Sequence, residues 1–449
     1  MNGCRLAAPL VLVCGLASLF AQQTPKPPSS VGCRVENATF EGWKSVRLAN
    51  GWVTLEIVPQ LGGRLMQVTF GRHGYLFVNL QLKGQYFPPE VSAAQKRWFN
   101  YGGDKIWPMP EGSPDGSRDE QHWPGAVGSV LDAGAFSSEL LSQGTRCSVR
   151  LTGPPDPIIG QQYIRDIGID ADSPAITFHA VMKNVSGYPQ TWSEQSVSQY
   201  TTAATNNPSE PNADFWAMTP ANPKSVFQNS YHVRTGSASS SGYTIRDGLF
   251  MVHTIDARGE VWVDSPGEWL AVIDGASEYA IVERFRYEKT AEYPGEATVI
   301  FFTAGQPTLY MEAEINSPMV KLNPGESYAM DTRWFPTRTG RELKGVTYAG
   351  VMRRSLSATS TSTGLALEGH FGVFFAGELE VRFYDARGYR LGAAPVQAVS
   401  PLDVVTVKQV VRAPADTTRV SLHLIDRGGT DRGPLGEVNV TMSPGSARP

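Results

Sequence analysis

The sequence predicts an all-β protein made of two consecutive sandwich-like units, and three observations carry that expectation. Short segments of alternating or continuously apolar residues recur along the chain, among them "WVTLEIV", "AITFHAVMKN", "EWLAVID" and "RVSLHLID". Forty-five glycines and 32 prolines among 449 residues punctuate them, leaving few places for a helix longer than two turns. Beyond "FPTRTGRELKG" the strands shorten and their spacing becomes regular. Hydrophobic residues are 41% and charged residues 18%, the balance of a folded globular chain. The formal net charge is −4 with no block of like charges, which argues against a nucleic-acid or membrane-surface partner.

In chain order, "MNGCRLAAPLVLVCGLASLFAQQ" carries one positive charge at Arg5 and an apolar run from Leu6 to Phe20. It reads as a secretory signal peptide over residues 1–22, too short for a comfortable membrane span. Export to a periplasmic or extracellular location is the expectation. Cys14 raises a lipoprotein alternative, weakened by the bulky Val13 before it. A proline-rich linker, "TPKPPSS", falls within residues 23–31. Cleavage leaves Cys33 and Cys147, either a disulfide of an exported protein or two separate thiols. They have no zinc-ligand spacing.

Residues 32–337 read as one large antiparallel β-structure. In "WVTLEIV", Val53, Leu55 and Ile57 share one face and Thr54 and Glu56 the other. "RLMQVTF", "YLFVNL", "GEVWVD", "YAIVERF", "ATVIFFTAG", "LYMEAEI" and "YAMDTRWF" continue the pattern, and residues 206–222 read as a loop. Residues 345–442 carry shorter strands, "LALEGHFGVFF", "LEVRFYD" and "DVVTVKQVV", which suggest an immunoglobulin-like β-sandwich. Its protein partner is not specified by the sequence.

Several stretches hold candidate site residues. "NYGGDKIWPMPEG", Asn100 to Gly112, combines a tight turn with Asp104, Lys105, Trp107 and Glu111. Neighbouring strand residues point to opposite faces, so one of Asp104 and Lys105 enters a cleft; Asp104 is the expectation, because carboxylates accept hydroxyl bonds from a sugar. Trp107 has the flat ring that covers a pyranose face, and is equally a core residue. In the loop "EGSPDGSRDEQHWPG", Asp115, Asp119 and Glu120 lack the spacing of a calcium loop, and Trp123 needs a packing partner. On "TWSEQSVSQY", Trp192, Glu194, Ser196 and Ser198 share one face and Gln195, Val197 and Gln199 the other. Polar residues inside a large sheet point to a cleft lining, which makes Glu194, Gln195 and Gln199 binding candidates; a solvated face is the alternative. The seven histidines are scattered without metal-ligand spacing, and no phosphate-binding, dinucleotide or nucleophile-elbow motif is present, so neither metal nor cofactor is expected.

The order of these landmarks resembles the galactose mutarotase-like superfamily, which includes the aldose 1-epimerases, over roughly residues 45–337. The resemblance rests on "ANGWVTLEIVPQLGGRLMQVTFGRHGYLFVN", on "YGGDKIWPMPEG", on "ITFHAVMKNVSGYPQTWSEQSVSQ" and on "LYMEAEINSPMVKLNPGESYAMDTRWF", and is nearest to an exported branch. It implies a β supersandwich with a sugar cleft, Arg64 after the double-glycine turn facing that cleft, and Glu314, or Glu312 on the same strand face, as a base. Where the family places histidines this chain has Tyr101 and Gln195. Glutamine cannot exchange a proton near neutral pH, which leaves Tyr101 as the candidate acid. The sequence therefore points to an exported carbohydrate-recognising protein, built around Arg64, Asp104, Trp107, Gln195 and Glu314, acting in sugar epimerisation or glycan processing. The alternative is a non-catalytic interaction protein of the cell envelope with a vestigial cleft.

Overall fold

The computed structural model describes residues 32–112, 122–237, 240–254, 257–340 and 342–441. The expected signal peptide and linker, and Asp115, Asp119 and Glu120, lie outside the described residues. Strands dominate; the α-helices among the described residues are Pro89–Gln95 and Val130–Ala133.

A twelve-stranded and a ten-stranded antiparallel sheet lie face to face. The twelve-stranded sheet runs, in its middle, through the strands Arg64–Phe70, Asp104–Met109, Gln190–Thr201, Tyr310–Asn316, Val299–Ala304 and Gly259–Val263. The ten-stranded sheet centres on Trp269–Asp274, Tyr279–Arg284, Ser327–Arg338, Ile176–Asn184 and Gln161–Asp170. One core joins them, with Leu55, Val68, Phe301 and Ile315 from the first sheet against Ile167, Phe178, Ile281 and Trp334 from the second.

Two further four-stranded sheets, formed by residues 345–439, cover part of the outer face of the ten-stranded sheet. The stacked rings of Phe335 and Phe374, 4.7 Å apart, mark that junction. This third layer explains why "WLAVID" is apolar throughout. Leu270 and Val272 enter the core between the large sheets, whereas Ala271 and Ile273 enter the core shared with the C-terminal sheets. Residues 206–222 differ from the loop expected. Asn207–Pro211 is an edge hairpin strand, and Phe215–Pro220 pairs with Trp269–Asp274 inside the ten-stranded sheet. The bracketing prolines hid an apolar run that the neighbouring strand buries.

Between the two large sheets lies a polar layer. Asp104 and Arg165 form a buried ion pair, the Ser198 hydroxyl donates to Asp104 at 3.2 Å, and the Arg165 guanidinium lies 4.7 Å from the Phe178 ring centre. The Tyr200 hydroxyl donates to Glu283 at 2.5 Å. Burial pushes Glu283 up to about 8, and pushes Glu194, on the same side of its strand as Ser198, well above the carboxylate range.

This layer gives a pH dependence with a definite sign. A carboxyl raised in the folded state keeps its proton while the unfolded chain releases one. Stability is therefore complete below about pH 4.5 and falls as pH rises towards 8. The full shift corresponds to an upper bound of about 5 kcal/mol. Urea unfolding of Glu283→Gln, which still accepts from Tyr200, is expected to fall less steeply between pH 5 and 8.5 than that of the wild type. Parallel profiles would show that Glu283 does not hold its proton.

Candidate functional site

The outward face of the twelve-stranded sheet is polar where it curves, and the cross-strand register places each residue there. Trp107 lies opposite Gln195, and Gln195 opposite Asn316. One row on, Lys105, Val197, Glu314, Ile300 and Trp262 follow across five strands. The next row runs Gln199, Glu312, Phe302 and Glu260. Alternation thus brings carboxylates and rings from distant segments onto one floor.

Above this floor is an open cavity of about 760 Å³, lined by Trp98, Trp107, Glu111, Gln195, Glu260, Trp262, Phe302, Tyr310, Glu312 and Glu314, with Arg234 and Arg258 at its side. The Gln195 amide donates to Glu314 at 2.6 Å and the Gln199 amide to Glu312 at 2.7 Å. Lys105 pairs with Glu312 at 3.2 Å and lies 4.2 Å from the Trp107 ring centre. Trp262 donates its indole N–H to Glu260 at 2.6 Å, with Arg234 stacked 4.7 Å from its ring centre.

The carboxyls have unlike surroundings. Burial, then the charges of Glu312 and Glu260, raise Glu314 well above the usual carboxylate range. Glu111 stands at the mouth with part of the residue open to solvent; the protein around its carboxyl, then the charges of Glu312 and Glu260, raise it to about 7. Burial lowers Lys105, opposed by Glu312. Glu314, with its raised pKa, and Glu312, held by a lysine and an amide, stand two residues apart on one strand face, about 7 Å along the chain.

The expected site residues divide between this cleft and the interior. Trp107, Gln195 and Glu314 line the cavity. Gln199 and Trp123 stand behind the lining: Gln199 holds Glu312, and Trp123 packs on Trp107 with ring centres 4.9 Å apart. Four others face away from it. Arg64 is wholly buried in an ion pair with Asp132 and does not face the cavity. It is held there by the turn before it, where Gly62 has φ +64° and a Cβ would collide with the Asp132 carbonyl. Asp104 faces the interior and Lys105 the cleft, the reverse of the expectation. Glu194 lies on the interior face and Gln195 on the outward one. Tyr101 is buried, and its hydroxyl accepts the Phe87 N–H at 2.8 Å; burial raises its pKa, so it supplies no acid to the cavity.

Sequence reasoning passed over Glu260, Trp262, Phe302, Tyr310, Arg234 and Arg258. Alternation in "GEVWVD" already puts Glu260 and Trp262 on one face. Among the described residues no group of three or more His, Cys, Asp or Glu side chains is arranged to hold a metal ion, and no helix is long and apolar enough to cross a membrane.

No family model matches the chain, and no curated protein matches it. Solved structures do align with it. A TPR-domain containing protein from Parabacteroides distasonis aligns at 14% identity and a TM-score of 0.44, covering 66% of this chain and 47% of that one. The chain thus spans about half of that protein's length. A galactose mutarotase-like protein from Clostridium acetobutylicum aligns at 9% identity and a TM-score of 0.46, covering 68% of this chain and 99% of that one. A galactose mutarotase related enzyme from Lactobacillus acidophilus aligns at 9% identity and a TM-score of 0.42, covering 64% and 95%. Two of these three structures carry a galactose mutarotase description, each aligned over about two thirds of this chain.

Proposed function

We propose that the chain is an exported protein that binds a saccharide in this cleft. The observation that carries the reading is the floor itself: carboxylates and amides spaced to bond hydroxyls, interleaved with the rings of Trp262, Phe302 and Tyr310. A sugar offers just those two surfaces, hydroxyl edges and an apolar C–H face. The joined pair Cys33–Cys147 supports an oxidising compartment.

The raised pKa of Glu314, beside a Glu312 held by Lys105 and Gln199, favours a second step, proton exchange at the anomeric centre. Glu314 would give a proton to the ring oxygen while Glu312 takes one from the anomeric hydroxyl. This reverses the role that the sequence suggested for Glu314.

Saturation-transfer proton NMR with neutral sugars, uronic acids and short glycans tests both steps. Transfer to one sugar class is expected, weakened about three- to tenfold in Phe302→Ala, which removes a half-exposed ring. In Glu314→Gln binding is expected to persist while anomer exchange, read from the same spectra, falls to the uncatalysed rate. Absence of transfer across the panel would overturn the saccharide reading. Unchanged exchange in Glu314→Gln would overturn the acid–base step alone.

A further inference from the structure

A second cavity, of about 670 Å³, opens on the other side of the molecule, on the outer face of the ten-stranded sheet beside the C-terminal unit. Four arginines line it: Arg146, Arg284, Arg286 and Arg333. Arg284 and Arg333 stand directly opposite each other on adjacent strands, a like-charge pairing that normally destabilises a sheet. Both are half-buried, both have a buried Nε with no hydrogen-bond partner, and neither has a carboxylate within salt-bridge distance among the described residues. Arg284 is held by the Thr347 carbonyl at 2.5 Å and by the Tyr348 ring, 4.4 Å from its centre, so the C-terminal unit fixes its position.

Of the acids that line the cavity, Asp166 and Asp331 are paired with other basic side chains, while Glu268 acts on Arg284 only through its charge, from beyond salt-bridge distance. Asp166 makes two bonds of 2.7 Å to Arg150, Asp331 bonds His179 at 2.8 Å, and Glu268 receives the Tyr348 hydroxyl at 3.5 Å. Arg146 bridges Asp170 at 3.2 Å and Thr177 at 3.0 Å, and Arg286 has Glu288 at 3.9 Å. Gly168 lets the Arg146 guanidinium lie close over the sheet, since a Cβ there would come within 3.0 Å of the Thr177 hydroxyl and 3.3 Å of an Arg146 nitrogen. Burial lowers the pKa of Arg333, opposed by Asp170, with smaller contributions in the same direction as burial from Arg432 and Arg146.

We propose that this groove binds an oxyanion, a phosphate, sulfate or carboxylate group, between the guanidiniums of Arg284 and Arg333. Two planar forks lining one cavity suit an oxyanion, and an anion between them offsets their mutual repulsion. The site is independent of the saccharide cleft on the opposite sheet, and stands or falls separately from it.

Thermal unfolding and phosphorus NMR of the mature protein, with inorganic phosphate as probe and chloride at equal ionic strength as reference, test this. A saturable rise in Tm with phosphate, together with broadening of the phosphate resonance at 25 °C, is expected. Arg333→Gln should weaken both at least tenfold while unfolding no earlier than the wild type in chloride, because the opposed charge is gone. Glu314→Gln should leave both unchanged. Sulfate and glucuronate, run by competition, assign the group: the anion that displaces phosphate best is the natural class. Equal phosphate response in wild type and Arg333→Gln, or no response to any of the three anions, would overturn the proposal.

Discussion

Replacing Arg165 with Met is expected to cost the protein about 3–5 kcal/mol near neutral pH, more than any single change in the cleft. Arg165 is the cation of the layer between the large sheets, where it pairs with Asp104 and lies near Glu194 and Glu283. Without it, all three acids face the interior with no opposing charge from that strand. Burial already raises Asp104 with the arginine present, so in the variant the acids are driven to hold protons. The loss should therefore be smaller at pH 5 than at pH 8. A cavity or a packing defect has no such pH dependence. Asp104→Asn in the same background should recover part of the loss, since it removes the stranded charge. Urea unfolding of the single and double variants at both pH values reads all of this. A loss independent of pH would mean that Arg165 acts by packing against Phe178 rather than by charge.

That layer also explains what was and was not legible in the sequence. The strands were readable because alternation follows from the pleat, and the two faces of Gln190–Thr201 were assigned as they occur. Which face looked outward was not readable, because both are polar: Glu194, Ser196 and Ser198 face the interior, Gln195 and Gln199 the cleft side. The partners that decide it, Arg165 and Glu312, come from strands far away in the chain. The choice between Asp104 and Lys105 turned on a parity set by Gly102 and Gly103, both at positive φ, which no propensity encodes. Arg64 and Tyr101 were placed by resemblance at positions whose local backbone, here, turns both side chains inward. Glu260, Trp262 and Phe302 needed only the alternation already in hand, and a register to bring them beside Glu312.

The other large effect expected is from the disulfide. Cys33 and Cys147 are joined, with Cα atoms 5.8 Å apart and a sequence separation of 114. The bond ties the first strand of the twelve-stranded sheet to the ten-stranded sheet near its edge, where Cys33 also bridges Gly144 through the backbone. In the chain-entropy account a loop of this length gives close to 4.7 kcal/mol, and measured native disulfides fall at about 2–5 kcal/mol. Both sulfurs belong to buried residues, so reductant is expected to act slowly on the folded protein and quickly once it opens. Cys147→Ser should lower the urea midpoint by that energy, and dithiothreitol should then have no further effect on it. The wild type, unfolded and refolded in dithiothreitol, should fall to the midpoint of the variant. Coinciding midpoints for oxidised, reduced and Cys147→Ser protein would mean that the two sheets hold together at this edge without the bond, and would remove the support it lends to an oxidising location.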